Sequence, residues 1–396
     1  MMFYKFNNTF RIFVSEYKGV KAMVVYMWRI DRLYMVLALM FLFASCRQEK
    51  AVECKGGIPM CFDYARLIEV VFYDGYTVAE IRNPWDSAGI LHRYVLLDRE
   101  KAVPDSLPEG TLLRIPLQNV VISSVVYCTL WKDLHAENTV KGICDTRYLM
   151  SPYWRQAIER HEVQDVGSSM NVDVEKLIAL RCDGILMSPF NKGSYGALEK
   201  TDIPIIECAD YMETSPLARA EWMRFYGLLT GGEQQADSLF RQVEEEYLSL
   251  KARVADAKSR PTVFMDIMSS NTWYQPGANS TIGQLVADAG GRYLFSDYSR
   301  QGSVPLSFET VLRRAQNADI WLIRANSLTY SSMAENDERY TFFETWKNRH
   351  IWLCDLSRVP FFEETPFQPQ RLLADFIKIM HPEIIEGETM YFTAMP

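Results

Sequence analysis

The sequence predicts an α/β protein in which one long helix joins two Rossmann-like α/β lobes. From about residue 118, and again beyond residue 259, apolar runs of strand length alternate with helical patterns, which is typical of parallel βαβ units. Between these regions, residues 216–258 carry a single charged amphipathic pattern. A unit of helix and strand with a glutamate near the helix start occurs in both regions. Together these observations indicate two similar lobes.

The first 45 residues predict a secretory signal of the lipoprotein type. A basic flank that ends at Arg32 precedes a short apolar run, and the small residues Ala44 and Ser45 stand before Cys46. This ending resembles a bacterial lipobox, which implies lipidation of Cys46, a tether over residues 46–61 and a periplasm-facing place in the cell envelope. The alternative is an uncleaved anchor helix, although the apolar run is short for a bilayer.

Composition and charge exclude several classes of protein. Hydrophobic residues make up 48% and charged residues 23% of the 396 residues, as in a globular protein and unlike a disordered or multi-span membrane protein. The first 45 residues hold six basic and two acidic residues, so their removal changes the net charge from −8 to −12. Such an acidic chain is not expected to bind nucleic acid.

The cysteines predict no redox or zinc motif. Seven remain beyond Cys46, and an odd number cannot all pair within one chain. The spacing of Cys54 and Cys61 permits a local disulfide. Four others lie in apolar runs and are predicted to be buried thiols: Cys128, Cys182, Cys208 and Cys354.

The N-terminal lobe is predicted over residues 62–215 and begins with a β-rich extension at residues 62–115. In the extension, β-branched and aromatic runs stand between the turn signals Asp74-Gly75 and Asn83-Pro84. Four apolar runs then alternate with helical stretches and are predicted to be parallel strands: 120–122, 140–143, 184–187 and 203–206.

Residues 216–258 are predicted to form the connecting helix. Ser215 is its expected cap and Pro216 lies in its first turn, where proline is favoured. Gly231 and Gly232 predict a notch in this helix. The C-terminal lobe follows over residues 259–396. Its predicted elements are strands at 262–267 and 351–354 and helices at 281–289 and about 368–380.

The repeated unit places one glutamate in each lobe. Residues 167–187 and 302–323 both run from a polar N-cap through a glutamate, an apolar stripe and an Asp into a buried strand. The glutamates are Glu175 and Glu309. A matched pair of exposed acids indicates one partner in contact with both lobes. The alternative is that each glutamate only completes an N-terminal helical turn.

The chain resembles the helical-backbone periplasmic binding proteins that feed ABC importers of iron–siderophore complexes, heme and corrinoids such as cobalamin. The resemblance covers residues about 118 to 382, and Cys182 stands where the family usually has proline. The second glutamate motif is two residues longer than the first. The matching stretches are 167–183, 211–222, 273–280 with 289–291, and 307–319.

The resemblance implies a function in transport. Glu175 and Glu309 would each meet an arginine cluster on one subunit of a permease dimer that works with an ATPase. A carboxylate on an exposed first helical turn can accept bidentate arginine bonds, and such pairs speed encounter and fix register. The predicted function is that of a substrate-binding lipoprotein for a corrinoid or a ferric siderophore, with heme as third candidate. The alternative is an envelope sensory or interaction lipoprotein that uses the same fold without transport.

A ligand cleft is expected between the lobes, lined by loops at the strand ends. Aromatic side chains on such loops would face a large planar or chelated ligand, with arginines as donors. Each aromatic residue taken alone is more often a core residue. The predicted ligand-binding residues are Tyr148, Phe190, Tyr211, Trp273, Tyr274, Arg147 and Arg324.

No metal site, cofactor or catalytic site is predicted. The five histidines form no convergent set with carboxylates, and His135 and His161 are expected at the surface. The alternative is that one histidine acts as the axial ligand of a heme or corrinoid metal, and His135 is the first candidate. The sequence has no nucleophile elbow, phosphate-binding glycine loop or zinc-protease motif, so an enzyme is not expected.

Overall fold

Two parallel β-sheets flanked by helices organise residues 56–396, the part of the chain that this computed structural model describes. The predicted signal at residues 1–45, Cys46, Cys54 and most of the predicted tether lie outside the described residues. Among the described residues, no helix is long and apolar enough to cross a bilayer.

The predicted β-rich extension forms a five-stranded sheet with the strands in chain order. All neighbouring strands are antiparallel except the last pair, which is parallel. The strands are β1 (Ile58–Pro59), β2 (Ile68–Phe72), β3 (Thr77–Arg82), β4 (Ile90–Asp98) and β5 (Thr111–Ile115).

The N-terminal lobe has a parallel sheet in the order β12-β11-β6-β7-β8. Its central strands are buried along their whole length because helices cover both faces. The sheet strands are β6 (Val120–Ile122), β7 (Val140–Ile143), β8 (Gln164–Asp165), β11 (Gly184–Met187) and β12 (Ile205–Glu207). A small hairpin consists of β9 (Gly167–Ser168) and β10 (Asn171–Val172). The helices are α1 (Val126–Asp133), α2 (Pro152–Glu159) and α3 (Val174–Leu180).

The connection contains one long helix preceded by two short ones: α4 (Pro216–Glu221), α5 (Met223–Thr230) and α6 (Glu233–Arg253). Ser215 caps α4 as predicted, since its hydroxyl accepts the Ala218 N–H. The notch expected at the glycine pair is a complete break, because Gly231 adopts a left-handed φ of 74° that ends α5. Gly227 lets α5 and α6 pack closely, since a Cβ there would lie 2.5 Å from the Cβ of Ala236.

The C-terminal lobe has a sheet in the order β16-β13-β18-β19-β20, parallel except for its last strand. These strands are β13 (Thr262–Met265), β16 (Arg292–Tyr293), β18 (Ile320–Ala325), β19 (Ile351–Asp355) and β20 (Thr393–Ala394). A smaller antiparallel sheet has β14 (Met268–Ser269), β15 (Thr272–Pro276) and β17 (Ser303–Leu306). The helices are α7 (Thr281–Asp288), α8 (Phe308–Ala315), α9 (Tyr330–Asn336), α10 (Glu344–Lys347), α11 (Phe361–Glu364) and α12 (Pro369–Met380).

Two buried carboxylates attach the start of the extension to the connection. Glu221 on α4 accepts the backbone N–H groups of residues 63, 64 and 65, each at 2.8 Å. Glu213 accepts the N–H groups of residues 66 and 67 and the indole N–H of Trp222, each at 2.9 Å. The extension is therefore fixed to the connecting helices by backbone hydrogen bonds rather than hanging from a loose linker.

One hydrophobic core runs through the extension, both lobes and the connecting helices. A second, smaller core lies around β11 and α3. The four thiols predicted to be buried are buried, which confirms that prediction, and Cys144 joins them. Cys61 is exposed and unpaired within residues 56–396.

Candidate ligand cleft and docking surface

A cavity of about 120 Å³ lies where the two lobes meet the connection. Val126, at the start of α1, follows the central strand β6, and Arg324 lies near the carboxyl end of β18. The carboxyl ends of parallel strands are the usual edge for ligands in α/β folds. The lining residues are Val126, Pro216, Arg219, Thr281, Ile282, Leu285, Arg324, Phe361, Phe362, Thr365, Pro366, Pro369 and Leu372.

Arg324 reaches the cavity from the C-terminal lobe. Asp266 holds it with two hydrogen bonds, Nε to Oδ1 at 3.1 Å and Nη2 to Oδ2 at 2.5 Å. The guanidinium also lies 5.9 Å from the ring centre of Phe361. Burial opposes its charge, but the Asp266 carboxylate outweighs burial and holds the pKa of Arg324 above its usual value. The guanidinium is therefore a fixed cation in the cavity wall.

Backbone strain accompanies this arginine. Asp266 follows β13 directly and adopts a left-handed φ of 57°. A non-glycine residue adopts that conformation at a cost of about 1 kcal/mol or more, and such residues are concentrated at functional sites. The turn brings the Asp266 carboxylate under Arg324, so the cost is offset by the two charged hydrogen bonds.

Arg219 reaches the same cavity from α4. Its Nε donates to Oδ2 of Asp210 at 2.9 Å. Asp210 is fully buried, and its other oxygen accepts the hydroxyls of Tyr127 at 2.7 Å and Tyr226 at 2.9 Å. Burial, together with the negative Asp210, raises the pKa of both tyrosines well above the usual value, so both remain proton donors. The cavity thus has one fixed arginine from each side.

The structure places most of the predicted aromatic residues at strand ends but outside the enclosed cavity. Tyr148 is 57% exposed in a 3-10 turn after β7, and the guanidinium of Arg147 lies 4.7 Å from its ring centre. Phe190 is exposed after β11. The hydroxyl of Tyr211 donates to the carbonyl of Pro189, which brings Tyr211 beside Phe190.

The prediction for Trp273 is wrong, because this side chain is fully buried in the C-terminal core. Its indole N–H donates to the carbonyl of Met265 at 2.9 Å, and its ring packs near those of Phe264 and Trp321. Trp273 lies within strand β15, where alternate side chains face opposite sides. The next residue, Tyr274, is accordingly 47% exposed, though it lines no part of the cavity.

Of the residues in the cavity wall, only Arg324 was predicted from the sequence, and the most important of those not predicted are Arg219, Phe361 and Phe362. The two phenylalanines follow strand β19 by a few residues, which is the same pattern that singled out the predicted aromatic residues. Arg219 lies in the second turn of α4. The amphipathic pattern of this helix does not indicate that the arginine side chain faces the cavity.

Glu175 and Glu309 occupy equivalent positions on the two lobes. Glu175 is exposed in the first turn of α3, which Asp173 caps by accepting the Lys176 N–H at 3.1 Å. Glu309 has a 69% exposed side chain in the first turn of α8, which Ser307 caps in the same way. Its own backbone N–H and the Ser307 hydroxyl lower the pKa of Glu309.

The surroundings of the two glutamates differ. Met170, which is 80% exposed, and the exposed Ile178 lie close in sequence to Glu175. Glu309 instead has a cation of its own lobe nearby, since Nη1 of Arg339 lies 3.9 Å from its carboxylate. Arg339 is itself held by Asp337 at 2.7 Å.

Within residues 56–396, the His, Cys, Asp and Glu side chains form no group of three or more that could hold a metal ion. His135 and His161 are exposed, as predicted. His135 lines a surface groove beside Lys132 and Gln235 rather than the cavity between the lobes. It therefore lies away from the position of an axial ligand in that cavity.

Comparison with known proteins gives a consistent picture. A family model described as periplasmic binding protein matches residues 138–356. An uncharacterized lipoprotein of Methanocaldococcus jannaschii is 23% identical over an alignment of 362 residues that covers 85% of each chain. A second lipoprotein of that organism is 23% identical over 330 residues, 80% of this chain and 81% of the relative.

Several solved structures share the fold at low sequence identity. A periplasmic heme binding protein from Pseudomonas aeruginosa has 17% identity and a TM-score of 0.55, covering 71% of this chain and 98% of that one. An ABC-type Fe³⁺-hydroxamate transport protein from Saccharomonospora viridis has 14% identity and a TM-score of 0.54, with coverage of 67% and 94%. These matches confirm the predicted two-lobe α/β architecture.

Proposed function

Since the chain belongs to the periplasmic binding protein family, we propose that it is the substrate-binding lipoprotein of an ABC importer. It captures a metal chelate between its lobes and delivers the chelate to a permease dimer with an ATPase. The observation that carries this proposal is the cavity between the lobes, where Arg219 and Arg324 enter from opposite sides. The family is described as periplasmic binding proteins, and solved structures of the same fold are named as binding proteins, so this chain is proposed to be a binding protein and not an enzyme.

The two arginines favour an anionic chelate. Guanidinium groups bind carboxylates and other planar oxyanions with paired hydrogen bonds. A ferric catecholate siderophore, which carries net negative charge, or a heme with its carboxylates offers such groups, whereas the periphery of a corrinoid is mostly amide. Two of the solved structures with the same fold are named for heme and for Fe³⁺-hydroxamate transport. Among the three predicted ligands, the order therefore becomes ferric siderophore or heme first and corrinoid last.

Ligand entry requires the lobes to separate. The cavity of about 120 Å³ is smaller than the roughly 300–1,000 Å³ of small-molecule sites. A tilt of one lobe would open it toward the strand ends, where the exposed Tyr148 and Phe190 lie. Tyr148, Phe190, Tyr211, Tyr274 and Arg147 are proposed as contacts of the opened cleft.

Glu175 and Glu309 are proposed as the docking groups. Both are exposed at a capped helix start on different lobes, so two permease subunits could each meet one carboxylate. A lipid anchor at Cys46 would keep the protein at the membrane where the permease lies. The anchor provides the only membrane contact in this proposal.

The docking assignment is tested by reversing both charges in the double variant Glu175→Arg, Glu309→Arg. We expect uptake of the chelate by cells to be lost while the affinity of the purified protein for the chelate is unchanged. Glu233→Arg is the matched control, because Glu233 is also an exposed glutamate in the first turn of a helix, α6. Unchanged uptake in the double variant would contradict docking through these residues.

The second candidate is an envelope sensory or interaction lipoprotein of the same fold. The observation in its favour is the extension, which Glu213 and Glu221 fix firmly to the connection. A sensory protein would bind the chelate but would leave uptake unchanged when both glutamates are reversed. The same experiment therefore separates the two functions.

A further inference from the structure

A short segment of the C-terminal half crosses to the N-terminal lobe at the cavity. This segment, residues 361–367, consists of α11 and the three residues that follow it, and is called the strap below. Phe361, Phe362, Thr365 and Pro366 of the strap form part of the cavity wall. If the lobes separate, the strap must move relative to at least one of them.

Glu363 fixes the strap to the N-terminal lobe. The residue is 2% exposed, and its carboxylate accepts the backbone N–H groups of Met150 and of Ser151, the latter at 3.3 Å. Ser151 is the N-cap residue of α2, and its hydroxyl makes no capping bond. A residue 212 positions away, from the opposite side of the cleft, thus holds the two residues that lead into α2.

Phe367 provides a second contact with the N-terminal lobe. Its buried ring lies 6.0 Å from that of Tyr127 and 5.8 Å from that of Tyr226. These are the tyrosines whose hydroxyls hold Asp210, which in turn holds Arg219. The end of the strap is therefore packed against the support of one cavity arginine.

The strap also contacts both lobes elsewhere, since α11 packs against α1 of the N-terminal lobe while Glu364 and Phe361 contact the C-terminal lobe. Glu364 accepts the hydroxyl of Tyr391 at 2.8 Å and an N–H of Arg371 at 3.3 Å. Phe361 packs edge-on to Tyr391 at 6.0 Å. Of the two neighbouring carboxylates, Glu363 is therefore hydrogen-bonded to the N-terminal lobe and Glu364 to the C-terminal lobe.

The contact between Glu363 and the start of α2 is suited to reversible release. Burial raises the pKa of Glu363, while the amides of Met150 and Ser151 lower it. The cost of burying this carboxylate therefore opposes the gain from its hydrogen bonds. Water can replace the carboxylate at both amides once the lobes move apart.

We propose that the strap is a latch, in which the hydrogen bonds of Glu363 to Met150 and Ser151 hold the cleft closed and must be broken for ligand to enter or leave. This inference rests on the proposed function, because a latch has a role only if the cavity exchanges a ligand. Glu363 is a positioning residue here and does not contact the ligand.

The latch is tested on the full chain with Glu363→Gln, and Glu364→Gln is the matched control. Hydrogen exchange reports the amides of Met150 and Ser151, and hydroxyl-radical footprinting reports the side chains of Leu285, Phe361 and Phe367. In Glu363→Gln, amide exchange and side-chain modification should rise together by roughly five- to thirtyfold, since a small loss of stability multiplies the open population by such a factor. In Glu364→Gln, the two amides should exchange as in the wild type.

A rise in exchange limited to Met150 and Ser151, with unchanged modification of the three buried side chains, would overturn the latch. If Glu363→Gln does not fold, Glu363→Asp provides the same comparison, because it keeps the charge but shortens the reach by one methylene. Neither readout uses a ligand or a permease. Failure of the latch therefore leaves the proposed transport function standing, and failure of the docking test leaves these results interpretable.

Discussion

Buried carboxylates fix nearby backbone and side-chain groups by hydrogen bonds, and their hydrogen-bond partners differ from one carboxylate to the next. Asp210 has three side-chain partners, and Asp266 binds one arginine with both oxygens. Glu207, at the end of β12, is different, because its Oε2 is buried without a hydrogen-bond partner among residues 56–396. Burial raises the pKa of Glu207 to about 7, and the neighbouring Glu199 adds to the rise while Tyr195 opposes it.

The raised pKa of Glu207 predicts a specific pH dependence of stability. Because the folded state favours the protonated carboxyl, the contribution of Glu207 is fully present below about pH 4.5 and is lost as the pH rises through about 7. Glu207→Gln removes this slope. Between these pH values the free energy of unfolding of the wild type should fall by about 1–2 kcal/mol relative to the variant, allowing for solvent screening.

Urea denaturation of both proteins at the two ends of that range measures the difference. Glu159→Gln is the control, since Glu159 is exposed at the end of α2. Equal pH slopes for the wild type and Glu207→Gln would contradict the assignment of the raised pKa to this residue.

For single residues, the sequence predicted which side chains are exposed better than it predicted which side chains face the interior or the cavity. The exposed glutamates and the polar caps before them follow from local helix-start chemistry, which depends on a few neighbouring residues. Trp273 and Tyr274 could not be told apart, because the choice of inward side depends on where β15 starts and on which sheet it joins. Arg219 turns toward the cavity only because Asp210, nine positions earlier, lies there.

Among the elements, the connecting helices contact the extension sheet as well as the two lobes. Through Glu221 and Glu213 they also hold the chain that leads into the extension sheet. From β4 of that sheet, the hydroxyl of Tyr94 donates to the carbonyl of Ile205 at 2.9 Å and accepts the N–H of Glu207 at 2.8 Å. The extension is thus attached to both the connection and the edge of the N-terminal sheet.

Replacing Glu221 with glutamine should destabilise the protein strongly. The amide has a single acceptor oxygen for three backbone N–H groups and adds two donors to a buried site. We expect a loss of about 2–4 kcal/mol in the free energy of unfolding, as for other broken networks around a buried charge. Guanidinium denaturation measures it.

Glu244→Gln is the control for this prediction. Glu244 also contacts the start of the extension, but through one hydrogen bond from the Tyr64 hydroxyl at 2.6 Å. Its loss should cost about 1 kcal/mol or less. Similar losses in both variants would show that the cluster of N–H groups around Glu221 has no special importance.

Elements with a strong local pattern were predictable, and elements fixed by distant contacts were not. The strands at 120–122, 140–143 and 184–187 were predicted at their observed positions, since buried parallel strands have continuous apolar runs. The end of α5 at Gly231 was predicted only as a notch. The strap has no local signal, because its course depends on Met150, Tyr127 and Tyr391 in other parts of the chain.

For the whole molecule, the two lobes were predictable from the sequence but their relative placement was not, because that placement depends on a hydrophobic core that the lobes share. Alternating strands and helices identify two α/β lobes, and the family model confirms the class of fold. The packing that joins them, from Phe367 in the N-terminal aromatic cluster to Glu363 at α2, comes from residues far apart in sequence. A core shared in this way favours a small tilt over a wide hinge motion.

The proposed ligand is an anionic metal chelate that binds in the cavity between the lobes. The sharpest test is calorimetric titration of the purified full chain with hemin, a ferric catecholate, a ferric hydroxamate and cyanocobalamin. We predict saturable one-to-one binding of hemin or of the ferric catecholate, the two iron chelates of this set that carry net negative charge. Replacing Arg219 or Arg324 with methionine should weaken that binding about tenfold or more, because each loses charge-assisted hydrogen bonds.

Arg313→Met, a change at an exposed arginine of α8, should leave the affinity unchanged. Circular dichroism would confirm that all three variants are folded. Absence of saturable binding to both hemin and the ferric catecholate, or equal affinity in the wild type and in folded Arg219→Met and Arg324→Met, would contradict an anionic-chelate site in this cavity.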